Sequence, residues 1–557
     1  MRRILLIISV YIVLSVLNTI SAKSIDTTAF YSNQILSCPT DNSITIRILP
    51  RKALNIYFEY GTSPGVYSNL TSTVTTTAEI PVQFILSGLT SNTRYFYRLR
   101  YKLPNEQSFI IGDMCTFITH RPRGSMFTFT INGDSHLYDK KGVPSVMRQT
   151  MSNIGQDNPD FHFELGDTYG DDRNPLTIDS VSELSLKKSF LQYIGLIAHS
   201  ASYYFVMGNH EGENAWYLTQ PRNLYLWGTL ARKFYYAMPE PYGFYSGNDS
   251  TEGSGMGKPQ DYYSFEWGDA LFVILDEYRF CTSDAMPGQW NWTLGQRQFN
   301  WFKQTLQNST AKYKFVFAHH VTGYGRGGVI MANQFEWGDS VHFNQYRTGW
   351  GGVPIHQIMA QNHVNVFFDG HDHLFATEQA NGVYYQEIGM PSDSTYQIGW
   401  LANADAYTGP NKFDGSGYIR VTVGPNEGKV EYVSTYKPQD TNSINHNHSV
   451  RFSYTFSPHT SVNESGKIIP DEPTLEQNYP NPFNPTTLIS FTLPERTQVS
   501  LSVFDAAGHE IQTLVNSIQN TGEHEIKWDA TKYPSGVYFY KIITDGYTNT
   551  KKMLLIK

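Results

Sequence analysis

The 557-residue sequence predicts a multidomain protein in which a layered α/β core, with β-sheets flanked by helices, lies between an N-terminal and a C-terminal β-sandwich domain. Three observations predict this architecture. The chain is several times longer than a typical domain of about 100–200 residues. Residues 121–458 alternate apolar strands with helical segments, which is typical of α/β layers. Residues 27–120 and 475–557 consist of short strands separated by turn residues, which is typical of sandwiches.

The composition excludes several classes of protein. Aromatic residues make up 15% of the chain, so it can bury enough apolar surface to fold, which excludes global disorder. The 42 Lys and Arg against 50 Asp and Glu give a net charge of −8, which argues against a nucleic-acid partner. Three cysteines cannot form a disulfide framework. Either Cys38 and Cys115 form one bridge, with Cys281 left over, or no bridge exists.

The first 22 residues have the layout of a secretory signal peptide. Two arginines precede an apolar run that reaches Leu17, and the small residues Ser21 and Ala22 follow. A membrane-spanning helix needs about 20 apolar residues, and the polar Asn18 and Thr19 end this run sooner. An uncleaved membrane anchor is the alternative. Since no later stretch is comparably apolar, we expect no transmembrane segment after signal removal.

Residues 27–120 predict the N-terminal sandwich. Strands are expected at Ser43–Ile48, Leu54–Tyr60 and Thr93–Tyr101. The segment Leu89–Arg98 resembles the penultimate strand of a fibronectin type III domain, in which alternating aromatic residues face the core. No catalytic constellation occurs here, so a packing or positioning role is expected.

The core carries two clear helical segments and five strand-motif units. Helices are expected at Ser180–Ala198 and Leu294–Leu306, the second with its large apolar groups on one face. The five units are Phe127–Asn132 before Gly133-Asp134-Ser135-His136, Phe161–Leu165 before Gly166-Asp167-Thr168-Tyr169, Tyr203–Met207 before Gly208-Asn209-His210-Glu211, Phe315–Ala318 before His319-His320, and Val364–Phe368 before Asp369-Gly370-His371-Asp372-His373.

These units predict a metal centre. Side chains just past several strand ends of an α/β sheet converge on one crevice. A mixture of carboxylate, amide and imidazole groups suits Fe, Zn or Mn, whereas calcium prefers oxygen ligands alone. The candidate ligands are Asp134, His136, Asp167, Asn209, His319, His371 and His373.

With these motifs in this order, residues 121–458 resemble the calcineurin-like metallophosphoesterase superfamily, and the sandwich in front makes the purple acid phosphatase-like branch the most similar. The resemblance implies a catalytic domain that binds two divalent or trivalent metal ions. The ligands it implies are Asp134, His136 and His373 at the first metal, Asn209, His319 and His371 at the second, and Asp167 as the bridge.

The resemblance also implies a reaction. A hydroxide between the metals attacks phosphorus, and His210 donates a proton to the leaving group as general acid, with Glu211 or a nearby acid orienting its ring. The leading hypothesis is a secreted phosphatase acting on phosphomonoesters. The alternatives are a phosphodiesterase or nucleotidase on the same metal core, and an inactive surface binding protein.

Several departures from strict purple acid phosphatases qualify the resemblance. The first motif contains His136, which those enzymes lack, and Gly170 stands where they use a tyrosine ligand, with Tyr169 one residue early. Val321 replaces the family's usual proline. We therefore expect a histidine at the first metal and neither a tyrosinate ligand nor a purple colour.

Further candidates are weighed against structural roles. Asn209, His210, His320 and Arg326 are candidate substrate contacts, although His320 and Arg326 also fit structural interpretations. Asp276 is expected to be structural. The lone histidines are expected to be packed or surface residues or are left unassigned: His120, His162, His363, His446 and His448.

The C-terminal end of the sequence predicts a targeting domain. After a polar linker at 459–474, residues 475–557 open with Leu475-Glu476-Gln477-Asn478-Tyr479-Pro480 and continue as alternating strands such as Gln498–Phe504. The opening phrase, the segment Tyr533–Ile542 and the terminal Lys551-Lys552-Met553-Leu554 together resemble the C-terminal sorting domain of the type IX secretion system. The resemblance implies export through the periplasm and across the outer membrane by that machinery, to a secreted or cell-surface location. A carbohydrate- or protein-binding module is the alternative.

Overall fold

A computed structural model describes residues 25–138, 141–170, 178–214, 223–282, 286, 288–321, 326–398, 402, 404–459, 473–478, 480–494, 496–520, 522–544 and 546–557. The signal peptide expected at 1–22 and most of the linker expected at 459–474 lie outside these residues. Within them, no helix has the length and apolar character needed to cross a bilayer. The chain divides into two compact units, Met1–His459 and Thr460–Lys557.

The N-terminal part is a sandwich of two antiparallel sheets. One sheet has the order β1-β2-β6 and the other is built around β4-β3-β7-β8, with β5 on β3 and β9 on β7. Alternate residues of both sheets, such as Ile44 and Tyr97, are fully buried between them. The strands are β1 Ile35–Ser37, β2 Ser43–Ile48, β3 Asn55–Gly61, β4 Asn69–Leu70, β5 Val74–Thr75, β6 Val82–Ser87, β7 Arg94–Lys102, β8 Ile110–Ile111 and β9 Cys115–Ile118.

The three expected strands of this sandwich are present, whereas the Cys38–Cys115 bridge is not. Both thiols are free. Cys115 Sγ accepts a hydrogen bond from Gln34 Nε2 at 3.2 Å, and the Cys38 thiol points to the carbonyl oxygen of Ala237 at 3.6 Å. The two cysteines are therefore used separately, one inside the sandwich and one against the α/β core. The assignment to the fibronectin type III class stays a prediction.

The beginning and the end of the α/β core together form one face of it. Three parallel strands, β12-β11-β10, continue into three antiparallel strands to give a six-stranded sheet. The antiparallel strands are β21 Ser416–Val423, β22 Gly428–Thr435 and β23 Ser449–Phe456. The elements up to the middle of the region are β10 Phe127–Asn132, α1 Pro144–Asp157, β11 Phe161–Glu164, α2 Ser180–Ile194, β12 Ser202–Phe205 and α3 Leu224–Tyr235. Helix α2 begins where Asp179 accepts the N–H of Ser182, an N-cap that satisfies an otherwise unpaired donor.

The middle of the α/β core forms the opposing face. Its eight-stranded sheet has the order β13-β14-β15-β16-β17-β19-β18-β20, and β15, β16, β17 and β19 run parallel. The elements of this part are β13 Ser246–Gly247, β14 Tyr263–Trp267, β15 Ala270–Ile274, α4 Gly295–Asn308, β16 Tyr313–Phe317, α5 Phe335–Gly338, α6 Phe343–Tyr346, α7 Ile355–Gln361, β17 Val366–Asp369, β18 Phe375–Ala380, β19 Val383–Glu387 and β20 Lys412–Phe413.

The two sheets pack face to face through aromatic side chains. The ring centroids of Phe163 and Phe317 are 4.3 Å apart, and those of Phe129 and Phe315 are 5.4 Å apart. Helix α4 covers the outer face of the second sheet with Phe299 and Leu306, which are fully buried. The predicted fold class, a layered α/β core flanked by helices, is confirmed.

The sandwich and the α/β core share one compact unit. Leu36 N–H donates to the carbonyl oxygen of Ala198 at 2.8 Å, and Tyr97 OH donates to that of His199 at 2.8 Å. Ile35 and Leu49 of the sandwich belong to the same buried cluster as the strands of the two α/β-core sheets. The N-terminal domain therefore packs against the α/β core, and its positioning role stays a prediction.

The C-terminal unit is a second, smaller sandwich. Its two antiparallel sheets have the orders β24-β25-β28 and β27-β26-β29-β30, and they enclose buried residues such as Trp528 and Tyr540. The strands are β24 Thr474–Leu475, β25 Thr486–Leu493, β26 Thr497–Phe504, β27 Glu510–Gln519, β28 Gly522–Asp529, β29 Gly536–Thr544 and β30 Tyr547–Leu555.

Candidate metal centre

Two groups of potential metal ligands meet at the carboxyl ends of the parallel strands. The ligand atoms of Asp134, His136, Asp167 and His373 all lie within 4.8 Å of one another, and so do those of Asp167, His319 and His371. Asp167 belongs to both groups. All of these side chains are buried. The sequence motifs that follow β10, β11, β16 and β17 are therefore brought to one place.

The first group converges through its imidazole Nε2 atoms. His136 Nε2 lies 2.9 Å from His373 Nε2. The carboxylate oxygen Oδ1 of Asp134 is 3.4 Å from His373 Nε2 and 3.9 Å from His136 Nε2. Asp167 Oδ2 is 3.9 Å from His136 Nε2. Four donor atoms thus face a common point.

The second group extends to Asn209. Asp167 Oδ1 lies 3.3 Å from His319 Nε2, and Asn209 Oδ1 lies 3.1 Å from the same nitrogen. The other ring nitrogen of His319, Nδ1, donates to the carbonyl oxygen of Leu165 at 2.6 Å. Since Leu165 directly follows β11, this bond fixes which nitrogen faces the centre. All seven predicted ligands are therefore brought together around Asp167.

The backbone is held in the left-handed region at most of these ligand positions. Non-glycine residues adopt such conformations at a cost of order 1–3 kcal/mol each, and the cost is tolerated mainly at functional sites. Gly166, which precedes Asp167, has φ of +89°, and a Cβ atom there would overlap the backbone of Gly208. The positive φ values are 55° at Asp134, 44° at His136, 53° at Asp167, 73° at His371 and 60° at His373.

The donor set fits transition-metal binding. Two carboxylates, one amide oxygen and four imidazoles match the preferences of Fe, Zn and Mn. Oδ1 of Asp134 is completely buried, and among the residues that the structure describes it has no well-aligned hydrogen-bond donor, since the imidazole Nε2 of His373 lies 3.4 Å away. A buried carboxylate oxygen without a donor is costly unless a cation lies against it. The residues present therefore fit the metal centre that the sequence predicts.

The surroundings of His319 and His371 shift the pKa values of these two histidines in opposite directions. Burial disfavours the imidazolium of His319, but the carboxylates of Asp167 and Asp134 outweigh it and raise its pKa to about 10. Burial, together with His320 and His319, pushes the pKa of His371 well below its ordinary value, so His371 stays neutral and keeps a lone pair. The carboxylates of Asp134 and Asp167 therefore favour a positive charge beside them.

Comparison with known proteins identifies the region that holds this centre. Residues 127–375 match the family described as calcineurin-like phosphoesterase, and residues 477–557 match the one described as secretion system C-terminal sorting domain. Residues 127–375 form a calcineurin-like phosphoesterase domain. The family assignment makes the chain a phosphoric ester hydrolase.

Two solved structures share the fold of the phosphoesterase region. PhoD aligns with a TM-score of 0.56 at 16% identity, covering 78% of this chain and 92% of its own. Purple acid phosphatase PPD1 from seeds of yellow lupin (Lupinus luteus) aligns with a TM-score of 0.51 at 16% identity, covering 76% of this chain and 74% of its own. No curated protein matches the sequence.

In the phosphoesterase domain, His210 lies beside the ligands but is more open than they are. Its side chain is 16% exposed, whereas those of His136, His319 and His373 are at most 3% exposed. His210 Nε2 is 3.7 Å from Asp167 Oδ2, and its backbone N–H donates to Asp167 Oδ1 at 3.0 Å. The ring therefore stands between the shared carboxylate and solvent.

Glu211 shapes the loops that carry the ligands. Its carboxylate accepts backbone N–H groups of Asp167 at 2.9 Å, Thr168 at 2.7 Å and Gly208 at 2.6 Å. Burial and the charge of Asp167 raise the pKa of Glu211 to about 7. These contacts go to main chain, so a role of Glu211 in orienting the His210 ring stays a prediction.

The structure places His320 and Arg326 around His371. His320 is 2% exposed, its Nδ1 donates to the carbonyl oxygen of Val321 at 2.8 Å, and its ring lies 5.0 Å from that of His371. Arg326 Nη1 donates to the carbonyl oxygen of His371 at 2.7 Å and to Asp372 Oδ1 at 3.0 Å. Arg326 thus secures the loop that carries His371 and His373.

Sequence reasoning missed several residues that support the phosphoesterase centre. Asp372 Oδ2 accepts hydrogen bonds from Tyr407 OH at 2.8 Å and Gly327 N–H at 2.5 Å, and Glu387 Oε1 accepts the N–H of Asp372 at 3.0 Å. Tyr138 OH lies 2.9 Å from His136 Nδ1. Tyr138 has a sequence signal, its position two residues after a ligand. Tyr407 and Glu387 have none.

The remaining candidates take structural places. Asp276 accepts the backbone N–H groups of Tyr278 and Arg279, as expected for a structural carboxylate. His162 is fully buried and hydrogen-bonded to Thr130 and Asn132. Two of the other histidines pack against rings: His120 contacts Phe244 and Trp267, and His363 stacks on His459. His448 forms an ion pair with Asp157. The exposed His446 lies 3.2 Å from the Ser443 carbonyl oxygen.

Proposed function

We propose that the chain is an exported, dinuclear metal-dependent phosphatase that hydrolyses phosphomonoesters. The observation that carries the proposal is the sharing of Asp167 by two ligand groups whose remaining members are distinct. A single carboxylate common to two donor sets suits two neighbouring cations better than one. Fe, Zn and Mn are the metals that this donor set fits.

Each ligand has an assigned place in this proposal. Asp134, His136 and His373 would hold the first cation, Asn209, His319 and His371 would hold the second, and Asp167 would contact both. When bound, such a pair activates water and neutralises the charge of the phosphoryl oxygens. The protein's own contribution is to hold these donors rigid on strand ends, so that little reorganisation is needed during the reaction.

His210 is proposed as the general acid. It is the most exposed histidine of the centre, and it lies against Asp167 rather than inside either ligand group. A proton donor in this place can reach the oxygen of a departing alcohol while the ligands remain bound. Proton donation of this kind commonly contributes about 10²–10⁴-fold to the rate.

Substrate contacts are proposed for residues at the edge of the centre. Asn209 and His210 are adjacent in the loop after β12, and the side chain of Arg326 is 30% exposed beside the loop of His371. A guanidinium there suits the non-bridging oxygens of a phosphoryl group. His320 stays a candidate, although its burial favours support of His371 from behind.

The sorting domain supports export. Its family is a secretion system sorting domain, which implies recognition by type IX secretion machinery. We propose passage through the periplasm and across the outer membrane to a secreted or cell-surface location. The signal peptide at 1–22 would direct the first step of this export.

A substrate panel tests the proposal. The metal-reconstituted chain is assayed with a phosphomonoester, a phosphodiester and nucleotides side by side, and metal content is measured by elemental analysis. We expect two metals per chain and the highest kcat/KM for the monoester. A higher value for the diester or the nucleotides would assign the same centre to a phosphodiesterase or nucleotidase. Fewer than one metal per chain, with no turnover, would instead favour a binding protein.

A further inference from the structure

The inference concerns Tyr138, which lies outside both ligand groups but contacts one ligand directly. Its hydroxyl oxygen is 2.9 Å from Nδ1 of His136. The opposite ring nitrogen of His136, Nε2, is the atom that faces His373, Asp134 and the shared carboxylate. The phenol therefore binds the side of the imidazole that points away from the centre.

A histidine that ligates a metal through Nε2 carries its proton on Nδ1. That proton needs an acceptor in a buried site, and the acceptor fixes both the tautomer and the plane of the ring. His136 is 1% exposed and has φ of +44°, so neither water nor a relaxed backbone sets its orientation. The Tyr138 oxygen is placed to accept the Nδ1 proton.

Tyr138 is itself held by a contact that only glycine permits. A Cβ atom at Gly170 would overlap the Tyr138 ring, so this ring fills the space that a side chain at position 170 would take. Gly170 also has φ of +66°, a conformation that glycine adopts readily. The ring centroid of Tyr138 lies 5.4 Å from that of His136 and 6.0 Å from that of His210.

We propose that Tyr138 is a positioning residue for the first metal: it fixes the His136 ring, and Gly170 provides the room in which it does so. This inference rests on the proposed metal centre, because His136 must be a ligand for its orientation to matter. It adds a residue from outside the five motifs, and it explains why the third position after Asp167 carries no side chain in this chain.

The main test is the metal affinity of Tyr138→Phe. Phenylalanine keeps the packing against Gly170 and removes only the hydroxyl. We expect the affinity of one of the two sites for zinc, measured by competition with a chelator, to fall by about 10–100-fold, while the other site is unchanged. The melting temperature of the metal-free chain should not change, because the hydroxyl acts on the ligand and not on the fold.

Tyr385→Phe is the matched control. Tyr385 OH lies 2.8 Å from Nδ1 of His356 and accepts the indole N–H of Trp337 at 3.0 Å, so the variant removes a tyrosine–histidine hydrogen bond of similar length, and one bond more, at a histidine outside both ligand groups. We expect wild-type zinc affinity at both sites. Equal losses in Tyr138→Phe and Tyr385→Phe would show a general effect of destabilisation and would overturn the positioning role.

Gly170→Ala gives a second, independent test. The added methyl group must displace the Tyr138 ring, so we expect a loss of first-site affinity similar to that of Tyr138→Phe. In the double variant, the two losses should not add, because both act through the same hydrogen bond. Additive losses would mean that residue 170 acts without Tyr138.

The outcomes separate this inference from the proposed function. If Asp134→Ala and His373→Ala abolish first-site binding but Tyr138→Phe binds zinc as the wild type does, then Tyr138 has no positioning role and the metal centre stands. If Asp134→Ala and His373→Ala leave zinc binding intact, the metal centre itself is wrong and the inference falls with it.

Discussion

The carboxylate of Glu211 accepts the backbone N–H of Asp167 at 2.9 Å, although the two residues lie on the loops of different strands. The same carboxylate accepts two further backbone N–H groups. The loop that carries Asn209 and His210 is thereby tied to the loop that carries the shared ligand. One buried side chain thus sets the relative position of the two halves of the centre.

Replacing Glu211 by glutamine should weaken these hydrogen bonds between the two loops. The amide keeps one acceptor oxygen but turns an NH₂ group toward N–H donors, and a buried donor left without an acceptor costs about 1–3 kcal/mol. We expect the free energy of unfolding, measured with denaturant, to fall by that amount and zinc affinity to fall with it. Glu427→Gln, at an exposed turn, should change neither. Wild-type stability in Glu211→Gln would contradict the claim that the Glu211 carboxylate holds the two loops together.

Replacing Asp167 by alanine should remove the one ligand that the two groups share. We expect loss of measurable phosphatase activity and a lower content of both metals by elemental analysis. An active Asp167→Ala variant, or one that loses a single metal only, would contradict the shared ligand.

Replacing His210 by alanine should affect turnover but not metal content. We expect kcat to fall by about 10²–10⁴-fold if the imidazole donates the proton to the leaving group. The loss should be smaller for esters whose leaving group is a weak base, because these need little protonation. His446→Ala, at an exposed histidine outside the centre, is the control. Loss of metal from His210→Ala would make this residue a ligand instead.

Asp157 should link stability to acid pH. Burial alone raises its pKa, but hydrogen bonds from His448 and Tyr418 and the charge of Arg420 outweigh this and hold the pKa below the ordinary 3.8. The native state therefore binds fewer protons than the unfolded state, so this stabilisation is complete above the unfolded pKa of about 3.9 and is lost as the pH falls through the native value.

Asp157→Asn measures that contribution. We expect the variant to be less stable than the wild type at pH 6 by about 1–3 kcal/mol, with the difference shrinking as the pH falls below about 4. Urea unfolding at several pH values provides the measurement. Asp41→Asn, at an exposed turn, is the control. A difference that stays constant with pH would mean that packing, and not charge, explains the effect.

The sequence predicts the strands and the ligands of this centre well because both are local properties. The apolar run Phe127–Asn132 coincides with β10, and Ser43–Ile48 coincides with β2. Side chains directly after parallel strands must meet at one edge of the sheet. Asp134 and Asp167 could therefore be placed together without any knowledge of loop conformation.

Residues that support the ligands could not be found in this way, because they depend on pairings between distant segments. Tyr407 reaches Asp372 from a loop between β19 and β20, and no spacing predicts that approach. The fit of Tyr138 against Gly170 depends on two loop conformations that the sequence pattern does not encode. The shared core with the N-terminal sandwich was likewise not predictable, since turn signals locate strands but not the partners of their outer faces.

The contacts of Leu36 with Ala198 and of Tyr97 with His199 have an evolutionary consequence. A gene fragment starting at residue 121 would encode an enzyme with an uncovered apolar flank, in which several carbonyl groups, including those of Ala198 and His199, have lost their donors. The N-terminal sandwich therefore cannot be exchanged freely for another β-domain. Recombination that replaced it would also have to change the surface of the α/β core against which it packs. The two segments should be inherited as a pair.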